Sequence, residues 1–202
     1  YDDARDGHPA YLLLNTGDGS LRDGTARSGL EAKRGRRIYS ASFVDLDAQG
    51  GLDLVVISDF AGVDVYQNTG SGRFIDRTES WIQERRAFGM AHTLSDFNSD
   101  GALDLLMIGM TSPTVERINH LDLTRPGHAD AHDDIARRSA MTFGNRLYLG
   151  QSTGGFTEPA WAEFLARSGW SWGCTAFDFD RDGHLEVYIA NGMESRATVR
   201  DY

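Results

Sequence analysis

Three stretches decide the fold: Asp45-Leu46-Asp47-Ala48-Gln49-Gly50-Gly51-Leu52-Asp53, Asp96-Phe97-Asn98-Ser99-Asp100-Gly101-Ala102-Leu103-Asp104 and Asp178-Phe179-Asp180-Arg181-Asp182-Gly183-His184-Leu185-Glu186. Each alternates oxygen-bearing side chains with spacers, sets glycine at the sixth position and closes on a carboxylate at the ninth. Calcium takes six to eight oxygen ligands, and a tight loop supplies them by this alternation, with glycine permitting the sharp turn.

In the second stretch Asp96, Asn98, Asp100 and Asp104 offer side-chain oxygens and Ala102 its carbonyl. In the third, Asp178, Asp180, Asp182 and Glu186 are the side-chain ligands and His184 gives its carbonyl; four carboxylates predict the tightest binding. In the first, Gln49 replaces the third acidic position, leaving Asp45, Asp47, Asp53 and the Gly51 carbonyl, so weaker binding is expected. The expectation is therefore Ca2+ at two full sites and one weaker one. An EF-hand needs a bidentate Glu at loop position twelve, where these loops carry Val56, Met107 and Ile189. Plain Asp/Gly turns need no metal, but three in register argue for a repeated site.

Working outward, each loop is preceded by a run of small residues and aromatics, such as Tyr39-Ser40-Ala41-Ser42-Phe43, and followed by an apolar strand, such as Leu52-Asp53-Leu54-Val55-Val56-Ile57. The loop is thus a β-hairpin connection. A second recurrent unit is a strand entering a Gly-rich turn: Tyr11 to Gly19, Val63 to Gly72 and Arg146 to Gly155. A short closing segment follows each turn, making four strands per repeat, the unit of a propeller blade.

The sequence therefore predicts an all-β chain, a β-propeller of four-stranded blades. The predicted partition is a partial blade over 1–30, blades over 38–78 and 88–158, a rim insertion over 112–140, and a partial blade over 170–192. The insertion accounts for spacing: 51 residues separate Asp45 from Asp96, but 82 separate Asp96 from Asp178. Short helices are expected at Val115 to Leu123 and Asp133 to Met141. About three blade equivalents are fewer than the four to eight that close a propeller, so part of a longer propeller is expected.

Composition excludes several classes. The formal charge of −10, from 30 acidic against 20 basic residues, opposes nucleic acid, and no apolar run is long enough for direct membrane insertion. The single Cys174 rules out an internal disulfide framework. The start at Tyr1, without a Met or a basic-apolar leader, reads as a mature product or a piece of one.

These residues resemble the FG-GAP/VCBS repeats of integrin α-chain propellers, and more closely the cartilage acidic protein and ASPIC/UnbV-like group. The features carrying the closer likeness are Ser168-Gly169-Trp170-Ser171-Trp172-Gly173 leading into Phe177 to Gly183, then Ile189-Ala190-Asn191-Gly192, and the Asn145-Arg146-Leu147-Tyr148 strand. The resemblance implies a secreted, periplasmic or cell-surface propeller whose loops calcium rigidifies and whose partners bind at a blade rim.

Other candidate chemistry is thin. His120, His128, Asp130, His132, Asp133 and Asp134 in the insertion are metal-ligating types at irregular spacing, or a solvated excursion. Lys33, Arg34, Arg36, Arg37, Arg85 and Arg86 are read as solvated cations on one rim. Cys174 is read as a buried structural thiol, and Trp81, Trp161, Trp170 and Trp172 as packing residues or a sugar-binding surface. The function expected is a non-enzymatic, calcium-stabilised binding or assembly module outside the cytoplasm. Its partner would be a protein or glycan at a rim, or other chains of a larger extracellular assembly. The alternative is a carbohydrate-binding or polysaccharide-active propeller.

Overall fold

The computed structural model describes residues 3–112 and 131–192, with side chains omitted for 131–135. The chain is all-β, as its alternation required. Two four-stranded antiparallel sheets occupy the middle. One orders β3 (Arg37–Val44), β4 (Asp53–Asp59), β5 (Gly62–Asn68) and β6 (Phe74–Asp76) consecutively. The other orders β7 (Gly89–Ser95), β8 (Asp104–Gly109), β9 (Arg146–Gly150) and β10 (Phe156–Thr157) in the same way. Two-stranded sheets flank them: β1 (Leu13–Asn15) with β2 (Leu21–Asp23), and β11 (Ser171–Phe177) with β12 (Glu186–Asn191). Among the described residues every sheet is open, none closing on itself.

The Asp loops are the hairpins joining the first two strands of a repeat: β3 to β4, β7 to β8 and β11 to β12. The first strand of each pair carries a bulge at the same place, between Ile38 and Ser40, Gly89 and Ala91, and Ser171 and Gly173. A bulge adds twist, which lets small residues on neighbouring strands crowd together. Glycine is required where β4 turns into β5: Gly62 has φ +74°, and a Cβ there would sit 1.6 Å from the Arg85 carbonyl oxygen.

The sheets stack face to face. Val55, Ile57, Val63 and Val65 of one meet Leu105, Met107 and Tyr148 of the next. Leu106, Ile108 and Leu147 meet Cys174, Val187 and Ile189. β4 and β8 are buried at every residue, which is why they read as unbroken apolar runs. α1 (Thr78–Trp81) follows β6 and packs Trp81 on this core. Of the insertion, α2 (Ala131–Met141) is described; the expected segment Val115 to Leu123 and the side chains of His120, His128, Asp130, His132, Asp133 and Asp134 lie outside the described residues.

The reading of the basic residues as solvated fails at Arg36, which is buried, while Lys33, Arg34, Arg37, Arg85 and Arg86 stay partly exposed in ion pairs. Arg36 and Asp64 are each 1 % exposed and form an ion pair, with Asp3 on the other guanidinium nitrogen. Lys33 Nζ bridges Asp64 at 2.7 Å and Asp76 at 2.6 Å. Arg37 pairs with Asp6 at 2.7 Å and lies over the Phe60 ring. Arg85 donates to the Ala61 carbonyl and to Glu79. Lys33, Arg36 and Arg37 are neutralised by carboxylates distant in sequence, whereas Arg34, Arg85 and Arg86 pair with the nearby Glu31, Glu79 and Glu84. His92 is likewise a packing residue: its Nε2 meets Ser42 Oγ at 2.9 Å and its Nδ1 is buried without a partner.

Removing one member of a buried pair strands the other, at a typical cost of about 3–5 kcal/mol. Asp64→Ala should lower unfolding stability by about 3 kcal/mol in a denaturant titration, whereas the Arg36→Met/Asp64→Leu double variant should lose less than Asp64→Ala. Burial depresses the His92 pKa to about 4. The imidazolium is disfavoured in the fold, so this stability is present above the unfolded value near 6.5 and lost as pH falls toward 4. A His92→Gln variant should show a flatter stability profile over that window.

Candidate metal centre

The three Asp loops share one backbone. The fourth position is left-handed in each, Ala48 at φ 55°, Ser99 at 59° and Arg181 at 64°, as is the sixth, Gly50 at 79°, Gly101 at 88° and Gly183 at 90°. The sixth position was legible from its glycine. The fourth was not, because ordinary side chains adopt that region at a cost of roughly 1–2 kcal/mol and nothing in their identity announces it.

The first carboxylate of each loop caps the turn. Gly50 N–H donates to Asp45 Oδ2 at 2.9 Å, Gly101 N–H to Asp96 Oδ2 at 2.9 Å and Gly183 N–H to Asp178 Oδ2 at 3.0 Å. The ninth carboxylate pins the hairpin to its surroundings. Asp53 accepts from Leu46 N–H at 3.0 Å and, on its other oxygen, from Asn68 N–H at 2.7 Å. Asp104 accepts from Phe97 N–H and Gly150 N–H, both at 2.8 Å. Asn68 and Gly150 end the third strand of their sheets, so one side chain fastens loop, second strand and third strand together. Among the described residues Glu186 accepts from Phe179 N–H alone, at 3.1 Å. Asp53 and Asp104 are 1 % and 0 % exposed, and burial pushes both carboxyls above the ordinary range against the lowering pull of their backbone donors.

The loops differ in how their oxygens gather. Asp45, Asp47 and Asp53 bring carboxylate oxygens within 4.8 Å of one another, as do Asp178, Asp180 and Glu186. Among the described residues Asp96, Asp100 and Asp104 form no such group. There Asn98 Nδ2 donates to Asp100 Oδ2 at 2.8 Å, and the other Asp100 oxygen accepts Ala102 N–H, which draws that carboxyl below its usual range. Asp182 also turns to the backbone, accepting His184 N–H at 2.8 Å. The Ala102 and His184 residues therefore meet their loops through N–H groups, and Gly51 lies over the Asn68 side chain.

The first loop best fits a cation. Asp47 and Asp53 are buried, and Asp45 Oδ1 is buried with no hydrogen-bond partner. Three carboxylates at this spacing repel one another strongly where water is excluded, and a hard divalent cation offsets that repulsion. Gln49 meets the cluster through its backbone, donating its N–H to Asp47 Oδ1 at 3.1 Å, and its Nε2 donates to the Asp47 carbonyl oxygen at 3.4 Å. A residue missed from sequence reaches it by its side chain: Gln67 Nε2 donates to Asp47 Oδ2 at 2.5 Å, its orientation fixed by Arg77 Nε donating to Gln67 Oε1 at 2.9 Å. The available signal was substitution within the repeat, since Leu14 and Leu149 hold the corresponding place.

Removing the pin isolates its contribution. Two partly buried N–H groups, of Phe97 and Gly150, would lose a charged acceptor at Asp104, at a typical cost of about 1.5–3 kcal/mol each where water is excluded. In chelator, Asp104→Ala should therefore destabilise by about 3 kcal/mol and Asp104→Asn by less, read by denaturant unfolding.

A family model described as FG-GAP-like repeat matches residues 45–107 and 129–189. No curated protein matches the chain.

Proposed function

The chain belongs to the FG-GAP-like repeat family, and from that membership we propose that it is a non-enzymatic, calcium-stabilised propeller module that binds or assembles proteins outside the cytoplasm. Repeats of this family suggest a protein-interaction module. Among the described residues no helix is long and apolar enough to cross a membrane. The closer kinship, with the cartilage acidic protein and ASPIC/UnbV-like group, is part of the same proposal and rests on the Trp170 to Gly183 stretch.

The observation that carries the reading is the cluster of half-buried Asp45 with buried Asp47 and Asp53, and an unpartnered, buried Asp45 oxygen. Calcium would be held there by these carboxylates with the Gly51 carbonyl, and in the third loop by Asp178, Asp180 and Glu186 with Asp182 and the His184 carbonyl. At the second loop, Asp96, Asn98, Asp100, Asp104 and the Ala102 carbonyl would be the ligands. Binding there requires Asn98 to turn its amide oxygen inward and Asp100 to release Ala102. The ion would supply positive charge and cross-link the hairpin; no bond-making role is assigned to it.

Among the described residues, two groups that catalysis could use are placed unfavourably for it. Cys174 is half-buried in the interface between sheets, where burial pushes its thiol up to about 11, away from the reactive thiolate. The Ser42–His92 contact lacks a carboxylate on His92 Nδ1 to orient the ring.

Millimolar calcium at a hundredfold excess over the dissociation constant stabilises by about 2.7 kcal/mol. For a chain of this size that raises Tm by about 5–10 °C. Thermal melts in calcium and in chelator should differ by this amount, and Asp47→Ala and Asp180→Ala should each shrink the difference. Identical midpoints, with no calcium in the purified protein by elemental analysis, would remove the reading.

A further inference from the structure

Each carboxylate oxygen of the first loop can be followed to its donor. Asp45 Oδ2 accepts Gly50 N–H, Asp47 Oδ1 accepts Gln49 N–H, and the two Asp53 oxygens accept Leu46 N–H and Asn68 N–H. Asp45 Oδ1 is buried without a partner. Asp47 Oδ2 differs from the rest: among the described residues its donor is a side chain, Gln67 Nε2 at 2.5 Å, projecting from β5. The two residues are 20 positions apart, so the contact exists only because β4 and β5 pair. A carboxylate oxygen has two lone-pair directions, so this bond leaves Asp47 Oδ2 able to meet an ion.

The Gln67 amide is fixed in its orientation. A carboxylate only accepts and a guanidinium only donates. Gln67 stands between one of each, its Nε2 on Asp47 and its Oε1 receiving Arg77 Nε at 2.9 Å. Reversing the amide would set oxygen against carboxylate and N–H against N–H. Arg77 is held in turn where β6 meets α1: its N–H donates to the Val65 carbonyl at 2.9 Å, and its own carbonyl accepts Trp81 N–H at 2.8 Å. A backbone junction thus sets the direction of one carboxylate in the loop.

The pair is confined to one repeat. Strand register places Leu14 and Leu149 where Gln67 stands, and Gly24 and Pro159 where Arg77 stands. Of the three loops, the one beside this pair is also the one without an acid at the fifth position, with Gln49 against Asp100 and Asp182. Calcium affinity follows both ligand charge and site rigidity, so a loop short of one carboxylate gains most from holding the others still. In the third loop Asp180 joins Asp178 and Glu186 with no such donor. There, however, Asp180 is exposed and, among the described residues, accepts only Asp182 N–H, at 3.3 Å. Gathering the acids does not need Gln67; keeping a buried one in a single orientation does.

On the basis of the calcium reading above, we propose that Gln67 and Arg77 are positioning residues for the cation of the first loop. They present Asp47 to the ion already oriented, which compensates for the carboxylate that Gln49 does not supply. Removing a group that orients a metal ligand typically costs about 10- to 100-fold in affinity. Arg77 separates positioning from charge. Its guanidinium is a cation near the site, so a purely electrostatic role would oppose calcium, and its removal would tighten binding. Positioning demands the opposite sign.

Isothermal titration of the full chain with calcium chloride tests this, in an Asp100→Ala/Asp180→Ala background that disables the other two loops at exposed residues. Adding Asp47→Ala should abolish the remaining binding and so assign it to the first loop. Gln67→Leu should raise the dissociation constant by about 10- to 100-fold, and Arg77→Met should raise it by less. A role in packing alone would lower the melting temperature in chelator and leave the calcium constant where it was. An unchanged constant in Gln67→Leu, or tighter binding in Arg77→Met, overturns the proposal while the calcium reading stands. No binding in the background variant, or binding that survives Asp47→Ala, removes calcium from this loop and the proposal with it.

Discussion

The fold hangs on a buried carboxylate at the ninth position of the first and second Asp loops, Asp53 and Asp104. At Asp53 and Asp104 one oxygen accepts the N–H of the residue following the loop's first Asp, and the other accepts an N–H from the end of the third strand. A lone buried carboxylate is costly, and two directed backbone donors are what make it tolerable. Loop closure, strand order and sheet width are therefore satisfied together or not at all. The apolar residues that follow, Leu54 to Ile57 and Leu105 to Ile108, can bury both faces because the pin has already fixed which strands lie on either side.

A second electrostatic unit sits farther along the first complete sheet. Asp64 on β5 collects Arg36 and Lys33, and these reach Asp3 and Asp76, so a buried ion network ties the segment before β3 to β5 and β6. Thr78 Oγ1 continues it through 3.3 Å and 2.6 Å bonds to Asp64 and Asp76. Such a network specifies register more than it adds stability, since each charge is tolerable only against its own partner. The counterpart threonine in the first hairpin, Thr25, keeps the Asp23 contact. The motif belongs to the repeat; the lysine and arginine are additions of one blade.

The repeat itself was legible because its signals are local. Gly at the sixth loop position, alternation over nine residues and an Asn-Thr-Gly turn at Asn15 and Asn68 each follow from backbone geometry within a few residues. Two kinds of feature were not legible. The basic residues before β3 looked like solvated charge because their partners Asp64 and Asp76 lie about 30 to 40 positions away, and sequence carries no distance. The cluster at Asp47 also escaped in part, because Gln67 reaches it from another strand and only its contrast with Leu14 and Leu149 marks it.

Ranking the loops by acidic count ignored the medium around the charges. The third loop is the richest in carboxylates, yet its Asp180 is exposed and its Asp178 and Glu186 only half-buried, so water screens their repulsion. The first loop has fewer acids, but a complete sheet beside it buries Asp47 and Asp53, and repulsion between them is correspondingly stronger. The third strand changes the medium: where β5 supplies Asn68 and Gln67, Asp47 and Asp53 are desolvated and hydrogen-bonded on defined oxygens. Where β12 has no such neighbour among the described residues, the same loop sequence stays at the surface. The second loop shows that a complete sheet is not sufficient: with Gly150 N–H on Asp104, its Asp96, Asp100 and Asp104 still form no such cluster among the described residues, so which side chains a neighbouring strand presents decides how the carboxylates gather.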